Sequence, residues 1–533
     1  MAPFKVVIVG GSVAGLALAN MLERCDIDYV LLEKYKVIGP DLGACLGLQP
    51  NGLRIMDQLG CYQELLKVSS RLNYFDIYDG SGQVINRIVH WPPRFMDAEL
   101  GYTLQSQDRK QVISVLLDNL RDKSKVHTSQ GVVKIHSSED GVKVETVDGS
   151  MFEGDIVVGA DGIHSRVLDE MQRLAEIGIP GSKLFTRDEF ECTYRCIFCI
   201  GPTPEGVRDD QAFRTCYKGR SYLCLGGKNR KFYFCLFEKV EKTRGSSIPR
   251  YTREECDALA AKYSNDILIP GLTFGDLYKK KASQTLLPVQ EGLLQKCFYE
   301  RIVLVGDSFH KSNPLLGQGG NNCLVSAATL ANKLQSITRG DFKPDMTRIE
   351  QVFQQYQETR KPETSMIVSM GHTMQQMDAQ ENQILKFIST KIVPRLPITN
   401  LMNGIVQPHV STRILDYLPP PSSSGSMILS QEEIQIKPGT RSNISNAVWS
   451  MLFIFPMLIF NGGFRYGDGQ TFPTSGSKLP FQLNSEAAEQ LYFHVAVTGI
   501  LSIMVVESYR GTYTMKLLNR YEASNPAISP KFV

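Results

Sequence analysis

The stretch VVIVGGSVAGLALANML, Val6 to Leu22, decides the fold. It is typical of a buried strand, a glycine turn and a helix. Gly10, Ser12 and Gly15 occupy the three small-residue positions of the GxGxxG pattern, where the first allows a tight turn and the third lets the helix pack close to the strand. The middle residue must let the backbone approach a pyrophosphate at the helix N-terminus, and here it is a serine, the next smallest choice.

One acidic residue supports a dinucleotide at this turn. Glu33 ends the second apolar run, YVLLE. A carboxylate in that position can accept hydrogen bonds from the ribose of an adenosine. The strand, turn, helix and acid together predict a dinucleotide-binding α/β domain, and they leave the choice between NAD and FAD open.

The composition excludes several classes of protein. The chain has 533 residues, of which 42% are hydrophobic and 21% charged, so two or three ordinary globular domains are expected. A net charge of +3 is too small to indicate a nucleic-acid partner. The twelve cysteines indicate buried, reduced thiols. Cys192, Cys196 and Cys199 lie on a predicted strand that turns them to different faces, so we expect no metal site.

The C-terminal part of the chain differs from the rest. The stretches NAVWSMLFIFPMLIFNGGF (446–464) and LYFHVAVTGILSIMVV (491–506) are apolar and almost uncharged. They are either buried core helices or membrane segments, and the lack of amphipathic partners favours the membrane. The run YLPPPSSSGS (417–426) predicts a linker that separates this tail from a catalytic body.

Short apolar runs predict two sheets within the body. KVVIVGG, YVLLEKY, GDIVVGADG and RIVLVGD are typical of buried parallel strands. CTYRCIFCIG and KFYFCLFEKV indicate strands of a second sheet, and the alternating segment 125–155 predicts an antiparallel meander.

Two later segments identify the cofactor by resemblance. DIVVGADGIHSRV (155–167), which contains Asp161, and RIVLVGDSFHKSNPLLGQGGNN (301–322) resemble the second and third fingerprints of the FAD-dependent group A monooxygenases, the aromatic-hydroxylase type. The resemblance implies that the cofactor is FAD and that Asp307 holds the flavin ribityl chain. It also assigns cofactor contacts to Asp161, to Arg109 in QSQDRKQVISVL at the pyrophosphate, and to Pro314, Gly319 and Gly320 near the isoalloxazine.

A further segment narrows the resemblance. GACLGLQPNGLRIMDQLG (43–60) is similar to the fungal FAD-dependent epoxidases of paxilline-type indole-diterpene and meroterpenoid biosynthesis. Ser12 is expected in that subgroup, and Gly47 would lie along the flavin. Residues over the flavin are expected from the second sheet, and the catalytic candidates are Tyr217, which matches the active-site tyrosine of the subgroup, and Arg195. Tyrosines and arginines on strands more often serve packing or ion pairs.

The resemblance implies a Rossmann-like FAD-binding domain and a second β-sheet substrate domain, as in p-hydroxybenzoate hydroxylase, followed by a helical hydrophobic tail. The expected ranges are 1–75, 101–180 and 290–360 for the FAD-binding domain, 76–100 and 181–289 for the substrate domain, 361–418 for a helical segment, 419–440 for the linker and 441–510 for the membrane-associated tail.

The chemistry implied by the resemblance is epoxidation. NADPH would reduce the FAD, and O2 would supply the oxygen that is added to a farnesyl or geranylgeranyl alkene of a lipophilic substrate. Aromatic hydroxylation, prenyl reduction without O2, and a flavoprotein scaffold without turnover are the alternatives. The expected location is the endoplasmic reticulum membrane, with the catalytic body facing the cytosol.

Overall fold

The computed structural model describes residues 3–40, 45–88, 100–339, 343–395 and 413–423. The chain divides into two compact units, Met1–Phe460 and Asn461–Val533, and the second lies outside the described residues. The predicted tail, 441–510, and residues 424–440 of the predicted linker also lie outside them. Within the described ranges, no helix is both long enough and apolar enough to cross a bilayer.

The described strands and helices follow one another along the chain. The strands are β1 (Lys5–Val9), β2 (Asp28–Leu32), β3 (Cys45–Leu48), β4 (Ser70–Arg71), β5 (Tyr74–Asp79), β6 (Val84–Ile88), β7 (Gln105–Asp108), β8 (Val126–His127), β9 (Val132–Ser137), β10 (Val142–Thr146), β11 (Met151–Gly154), β12 (Ile156–Gly159), β13 (Phe190–Pro202), β14 (Gln211–Tyr217), β15 (Arg220–Gly226), β16 (Lys231–Arg244), β17 (Ile267–Ile269), β18 (Leu272–Thr273), β19 (Ser283–Leu293), β20 (Phe298–Tyr299), β21 (Ile302–Leu304) and β22 (His310–Lys311). The helices are α1 (Val13–Glu23), α2 (Pro50–Gln58), α3 (Tyr62–Val68), α4 (Arg109–Asp118), α5 (Arg166–Gly178), α6 (Arg253–Lys262), α7 (Phe274–Lys279), α8 (Gly319–Thr338), α9 (Met346–Asp378) and α10 (Gln383–Phe387).

The first sheet has the order β20-β21-β12-β1-β2-β8, and all of its pairs are parallel except β20-β21. The four apolar runs predicted to form a parallel sheet are therefore neighbours in it. Strand β1 is apolar on both faces, and Val6, Val7 and Ile8 are fully buried. This burial explains why the sequence shows a continuous apolar run rather than alternation.

The predicted meander is present as β9, β10 and β11, an antiparallel sheet whose strands are joined by a bend at 139–140 and a turn at 147–149. A separate small sheet has the order β3-β7-β4. Strand β3 pairs with β7 so that Gly47 lies opposite Ser106.

The second large sheet has eight strands in the order β22-β19-β13-β16-β15-β14-β5-β6. The predicted strands CTYRCIFCIG and KFYFCLFEKV are β13 and β16, which pair antiparallel. One face packs against α6 and α7 through residues such as Ile197, Phe234 and Phe274. The other face packs against α9 and the turn before α8, through Tyr194, Phe237 and Leu315.

Three predicted domain boundaries fall inside regular elements. The boundary at 75/76 lies within β5, the one at 289/290 within β19, and the one at 360/361 within α9. A segment that was predicted to begin a separate helical region thus continues a helix already begun at Met346, and Pro362 does not end that helix. The division into domains stays a prediction.

Candidate functional site

The turn after β1 requires glycine at two of its three small positions. Gly10 has φ +111°, and a Cβ there would lie 2.5 Å from the carbonyl oxygen of Ala160. A Cβ on Gly15 would lie 1.9 Å from the carbonyl oxygen of Gly10. Any side chain would push α1 away from the strand, so these two glycines fix how closely the helix begins above the turn.

Ser12, at the middle position of the turn, forms a hydrogen bond with Arg109, another predicted cofactor residue. Ser12 is the N-cap residue of α1, and its side chain makes no capping hydrogen bond within the helix. Its Oγ instead accepts a hydrogen bond from Arg109 Nη2 at 2.7 Å. Arg109 is the first residue of α4, so its guanidinium reaches across to the start of α1. A positive group and a helix N-terminus therefore meet at one place, where both favour an anion.

Glu33 is held beside the same turn. It is buried, and its two carboxylate oxygens accept hydrogen bonds from the amides of Gly11, at 2.7 Å, and Tyr35, at 2.9 Å. These bonds fix the carboxylate at the end of β2 while each oxygen retains further acceptor capacity. The position suits the ribose contact that was predicted for it.

Asp307 lies between the starts of two helices. Gly306, with φ +64°, precedes it, and a Cβ on Gly306 would lie 2.9 Å from Cys323 Sγ of α8 and 3.2 Å from Ala14 Cβ of α1. The Asp307 carboxylate forms an ion pair with Lys311 and is only partly buried. Lys311 is a neighbour that sequence reasoning did not assign, although a lysine four residues after an acid is a common pairing signal.

Asp161 is held by hydrogen bonds at the start of α5. Its carboxylate accepts hydrogen bonds from Ser165 Oγ at 2.6 Å, from the Arg166 amide at 2.7 Å and from the Val167 amide at 3.1 Å. It thus caps the N-terminus of α5. Burial raises the pKa of Asp161, and these hydrogen bonds oppose that rise. Its cofactor contact stays a prediction.

The start of α8 lies against β3. A Cβ on Gly320 would be 2.6 Å from Leu46 Cδ1, whereas a Cβ on Gly319 would meet nothing within 4 Å. The carbonyl oxygen of Gly47 accepts a hydrogen bond from Asn321 Nδ2 at 2.9 Å. Gly319 thus leaves room above the N-terminus of α8. Pro314 begins the short turn that leads into this helix.

Several polar residues that secure this region were missed in the sequence. Asn321 Oδ1 accepts a hydrogen bond from the Gln49 amide at 2.9 Å, and Gln318 Nε2 donates one to Gln49 Oε1 at 2.9 Å. Asn51 Nδ2 donates to Gln318 Oε1 at 3.0 Å. Gln49 and Asn51 lie in the run LQPNG, and Gln318 and Asn321 lie in the run GQGGNN. Nothing in either run predicts that the two runs contact each other.

These elements fit FAD. The start of α1 with Arg109 suits a pyrophosphate, and Glu33 suits a ribose. Asp307 can accept from ribityl hydroxyls, and the space above Gly319 lies at a helix N-terminus that favours negative charge. The first turns of α1 and α8 themselves contain no acidic residue.

Tyr217 and Arg195 are not brought together with these residues. The Tyr217 hydroxyl lies 2.9 Å from the carbonyl oxygen of Ile267 and 3.0 Å from that of Gly80. Arg195 Nε donates to Glu238 Oε2 at 2.8 Å. Both side chains lie on the face of the eight-stranded sheet that packs against α6 and α7. Their catalytic roles stay predictions, and their surroundings favour structural ones.

The opposite face of the sheet is turned toward the start of α8. Leu315, in the turn that precedes α8, packs there with Tyr194, Cys196, Leu223 and Phe237. Several apolar side chains at its edge are only partly buried. They are Phe75, Phe198, Leu225, Cys235 and Met374. Alternation along β14 places Arg214 and Tyr217 on opposite faces, but the sequence does not say which face meets the cofactor.

Four positively charged side chains act electrostatically on His164, a residue of the second fingerprint. The pKa of His164 is below its usual value, because partial burial disfavours the imidazolium and nearby positive charges add to that effect. The charges belong to Arg187, Arg250, Lys34 and Lys311. Arg187 forms an ion pair with Asp169, and Lys311 forms one with Asp307, so Lys34 and Arg250 are the charges that could attract an anionic ligand.

Comparison with known proteins agrees with this geometry. The family model described as an FAD binding domain matches residues 3–183 and 223–369. The FAD-dependent monooxygenase asqG of Emericella nidulans is 36% identical over 85% of this chain and 81% of its own length. The FAD-dependent monooxygenase andE of Emericella variicolor is 33% identical over 79% of this chain and 89% of its own length.

Solved structures share the fold. HpxO of Klebsiella pneumoniae, in complex with FAD and uric acid, matches with a TM-score of 0.61 and 19% identity, over 77% of this chain and 97% of that protein. CtdE, in complex with FAD and a substrate, matches with a TM-score of 0.57 and 16% identity, over 76% of this chain and 99% of that protein. These matches show that the chain shares its fold with both proteins over about three quarters of its length.

Proposed function

The chain belongs to the FAD-dependent monooxygenases that carry the FAD binding domain, and on this premise we propose that it epoxidises a prenyl alkene with NADPH and O2. Bound FAD supplies the electron transfer from the nicotinamide and the activation of O2. The protein holds the cofactor, orients the alkene and excludes water. The substrate class is a farnesylated or geranylgeranylated precursor in fungal secondary metabolism, such as meroterpenoid or indole-diterpene biosynthesis.

The observation that carries this proposal is the apolar sheet face beside α8. Epoxidation adds oxygen across a carbon–carbon double bond without removing a substrate proton, so it needs no general base. An aromatic hydroxylase is helped by a base that deprotonates a phenol. The half-buried Phe75, Leu225 and Met374 suit a prenyl chain.

The carboxylates near this face are already engaged. Asp378 Oδ2 accepts a hydrogen bond from Arg214 Nη1 at 2.9 Å, and both side chains are buried. Glu291 Oε2 lies 3.0 Å from His372 Nδ1. Glu381 is paired with Lys239 at 2.6 Å. Each of these carboxylates is held by a partner side chain, and this restraint supports positioning over proton abstraction. Burial nevertheless raises the pKa of Asp378, although Arg214 opposes that rise.

The basic group around His164 supports NADPH as the reductant. NADPH carries a pyrophosphate and a further phosphate, and Lys34 and Arg250 offer positive charge toward His164. Arg187 and Lys311 are already paired with Asp169 and Asp307. Neutralising one of these charges, for example by Arg250→Gln, is expected to raise the KM for NADPH more than it lowers kcat.

We further propose that residues 441–510 bring the enzyme to the endoplasmic reticulum membrane, where a lipophilic substrate dissolves, with the body on the cytosolic side. A shortened chain should end after Ser423, because Leu415 is fully buried and Ser422 Oγ donates to Asp57 Oδ2 at 2.7 Å. Membrane fractionation of the full and shortened chains tests this. If both fractionate alike, the tail is not the anchor.

Oxygen uptake and product analysis separate the alternatives. We expect NADPH-dependent oxygen uptake with a prenylated aromatic substrate and an epoxide as the product. A hydroxylated ring would indicate an aromatic hydroxylase, and a saturated alkene formed without oxygen uptake would indicate a prenyl reductase. FAD binding with no NADPH turnover would leave only a flavoprotein scaffold.

A further inference from the structure

Two buried arginines of this chain differ in their partners. Arg360, on α9, donates to Ser326 Oγ at 3.2 Å and to Asn322 Oδ1 at 3.0 Å, and it forms an ion pair with Glu363. Arg54, on α2, is 5% exposed, and its Nε and Nη1 atoms have no hydrogen-bond partner among the described residues. No ion pair joins Arg54 to any residue in the described part of the chain.

Asp57, the acidic residue nearest to Arg54 along α2, binds other partners. Asp57 is one turn away and could reach an arginine in that position. Its Oδ2 instead accepts hydrogen bonds from the Tyr102 hydroxyl at 2.5 Å and from the Ser422 amide at 2.6 Å. Asp57 is thereby tied to the 413–423 segment, and Arg54 has no counter-ion within the described ranges.

A second unpartnered atom lies one turn before Arg54. Asn51 is 2% exposed, and its Oδ1 has no hydrogen-bond partner in the part of the chain that the structure describes. Its Nδ2 donates to Gln318 Oε1 at 3.0 Å, and Gln318 directly precedes Gly319 at the start of α8. The unpartnered acceptor of Asn51 therefore adjoins the proposed flavin region, and Arg54 follows it by three residues on the same helix.

Leaving a buried guanidinium unpaired lowers stability, because burial removes its hydration and nothing replaces the lost interactions. Burial accordingly lowers the pKa of Arg54. A ligand that carries an anionic oxygen would offset this cost, since guanidinium–oxyanion hydrogen bonds are among the strong ones. A hydroxyl next to that oxygen could donate to Asn51 Oδ1.

We propose that Arg54 and Asn51 form an oxyanion subsite that binds an acidic oxygen, with a neighbouring hydroxyl, on the ring of the prenylated substrate. This subsite rests on the proposed function, because it orients the substrate whose prenyl chain lies along the apolar sheet face. Arg54 and Asn51 hold the ring end and thereby determine which double bond reaches the flavin.

A binding experiment tests the subsite without turnover. The oxidised holoenzyme is titrated with a prenylated ortho-hydroxybenzoate and with its methyl ester, and binding is followed by the flavin absorbance. The wild type is expected to bind the acid about tenfold more tightly than the ester, as for one charge-assisted contact. Arg54→Met should abolish that preference, and Arg54→Lys should retain part of it. Equal affinities in the wild type, or a preference that persists in Arg54→Met, would overturn the proposal.

Thermal unfolding of the substrate-free protein gives a readout independent of binding. Arg54→Met keeps the length of the side chain and removes an unpaired charge, so its Tm should equal or exceed that of the wild type. Arg360→Met, the control, removes a charge with three partners and should lower the Tm. A drop in Arg54→Met as large as in Arg360→Met, or loss of FAD from Arg54→Met, would assign Arg54 to the fold or the cofactor and contradict the subsite. Neither titration nor unfolding involves epoxidation, so a failure of the subsite is distinct from a failure of the proposed function.

Discussion

Arg109 Nη2 donates a hydrogen bond to Ser12 Oγ over 2.7 Å, although the two residues are 97 positions apart in the chain. A glycine at position 12 would offer no such acceptor. The serine therefore does more than tolerate the tight turn, because it holds a guanidinium at the helix N-terminus where the pyrophosphate is expected. The departure from the three-glycine pattern is explained by the arginine of a distant helix.

This pair predicts an unequal effect of two substitutions on FAD affinity. Ser12→Ala removes one neutral acceptor and is expected to cost about 1 kcal/mol, because Arg109 keeps its charge. Arg109→Met removes the charge itself and should weaken FAD binding about tenfold or more. Fluorescence titration of the apoprotein with FAD measures both. If Ser12→Ala weakens binding as much as Arg109→Met, the serine itself contacts the cofactor.

Asp307→Ala is expected to release FAD. The ribityl hydroxyls would lose a charged acceptor, and a hydrogen bond to a charged group is worth about 1.5–3 kcal/mol. Asp118→Ala is a suitable control, because Asp118 is an exposed residue of α4 that pairs with Lys123 at 3.0 Å. The flavin content of the purified variants reports the result. Full occupancy in Asp307→Ala would place the ribityl contact on another residue.

The sequence predicted FAD and the strand–turn–helix units around it because each of these signals is local, whereas the individual cofactor contacts stay predictions. The strand–turn–helix unit, Glu33 at the end of β2 and the run before α8 are read directly from neighbouring residues. Which face of the eight-stranded sheet meets the flavin depends on packing between segments far apart in the chain. The alternation of side chains along β14 predicts that Tyr217 and Arg214 lie on opposite faces of the sheet. The face that lies beside α8 is identified by the packing of Leu315 against Phe237 in the structure.

Tyr217→Phe distinguishes the two possible roles of Tyr217. Its hydroxyl bonds backbone carbonyl oxygens, and its ring packs edge-to-face on Tyr222 with the ring centroids 5.9 Å apart. We expect the variant to lose about 1 kcal/mol of stability and to keep the wild-type ratio of product formed to NADPH consumed. A fall in that ratio, with hydrogen peroxide as the balance, would instead establish the catalytic role predicted from the sequence. Arg195→Lys keeps the positive charge but loses the planar guanidinium that binds Glu238. The same ratio, measured in this variant, tests the predicted role of Arg195.

Stability on the acid side should depend on His310. Its Nε2 lies 2.9 Å from Ser326 Oγ, and burial, reinforced by Arg360 and Lys311, lowers its pKa well below the usual value. Below about pH 6.5, His310 is protonated in the unfolded chain but stays neutral in the folded protein. The free energy of unfolding should therefore fall with decreasing pH, by up to about 1.4 kcal/mol per pH unit from this group.

His310→Gln removes that titration and should flatten the acid-side loss of stability. Denaturant unfolding between neutral and mildly acidic pH measures it, and His136→Gln, a change at an exposed residue of β9, gives the effect of losing a surface histidine. An unchanged slope in His310→Gln would mean that other groups govern the acid transition.

Incubation of the full-length holoenzyme with NADPH, a prenylated aromatic substrate and isotopically labelled O2, followed by mass spectrometry of the product, tests the central claim most directly. The account predicts a product that carries one labelled oxygen atom as an epoxide on the prenyl chain, formed only when NADPH is present. A labelled hydroxyl on the aromatic ring, or a saturated prenyl chain without label, would contradict it.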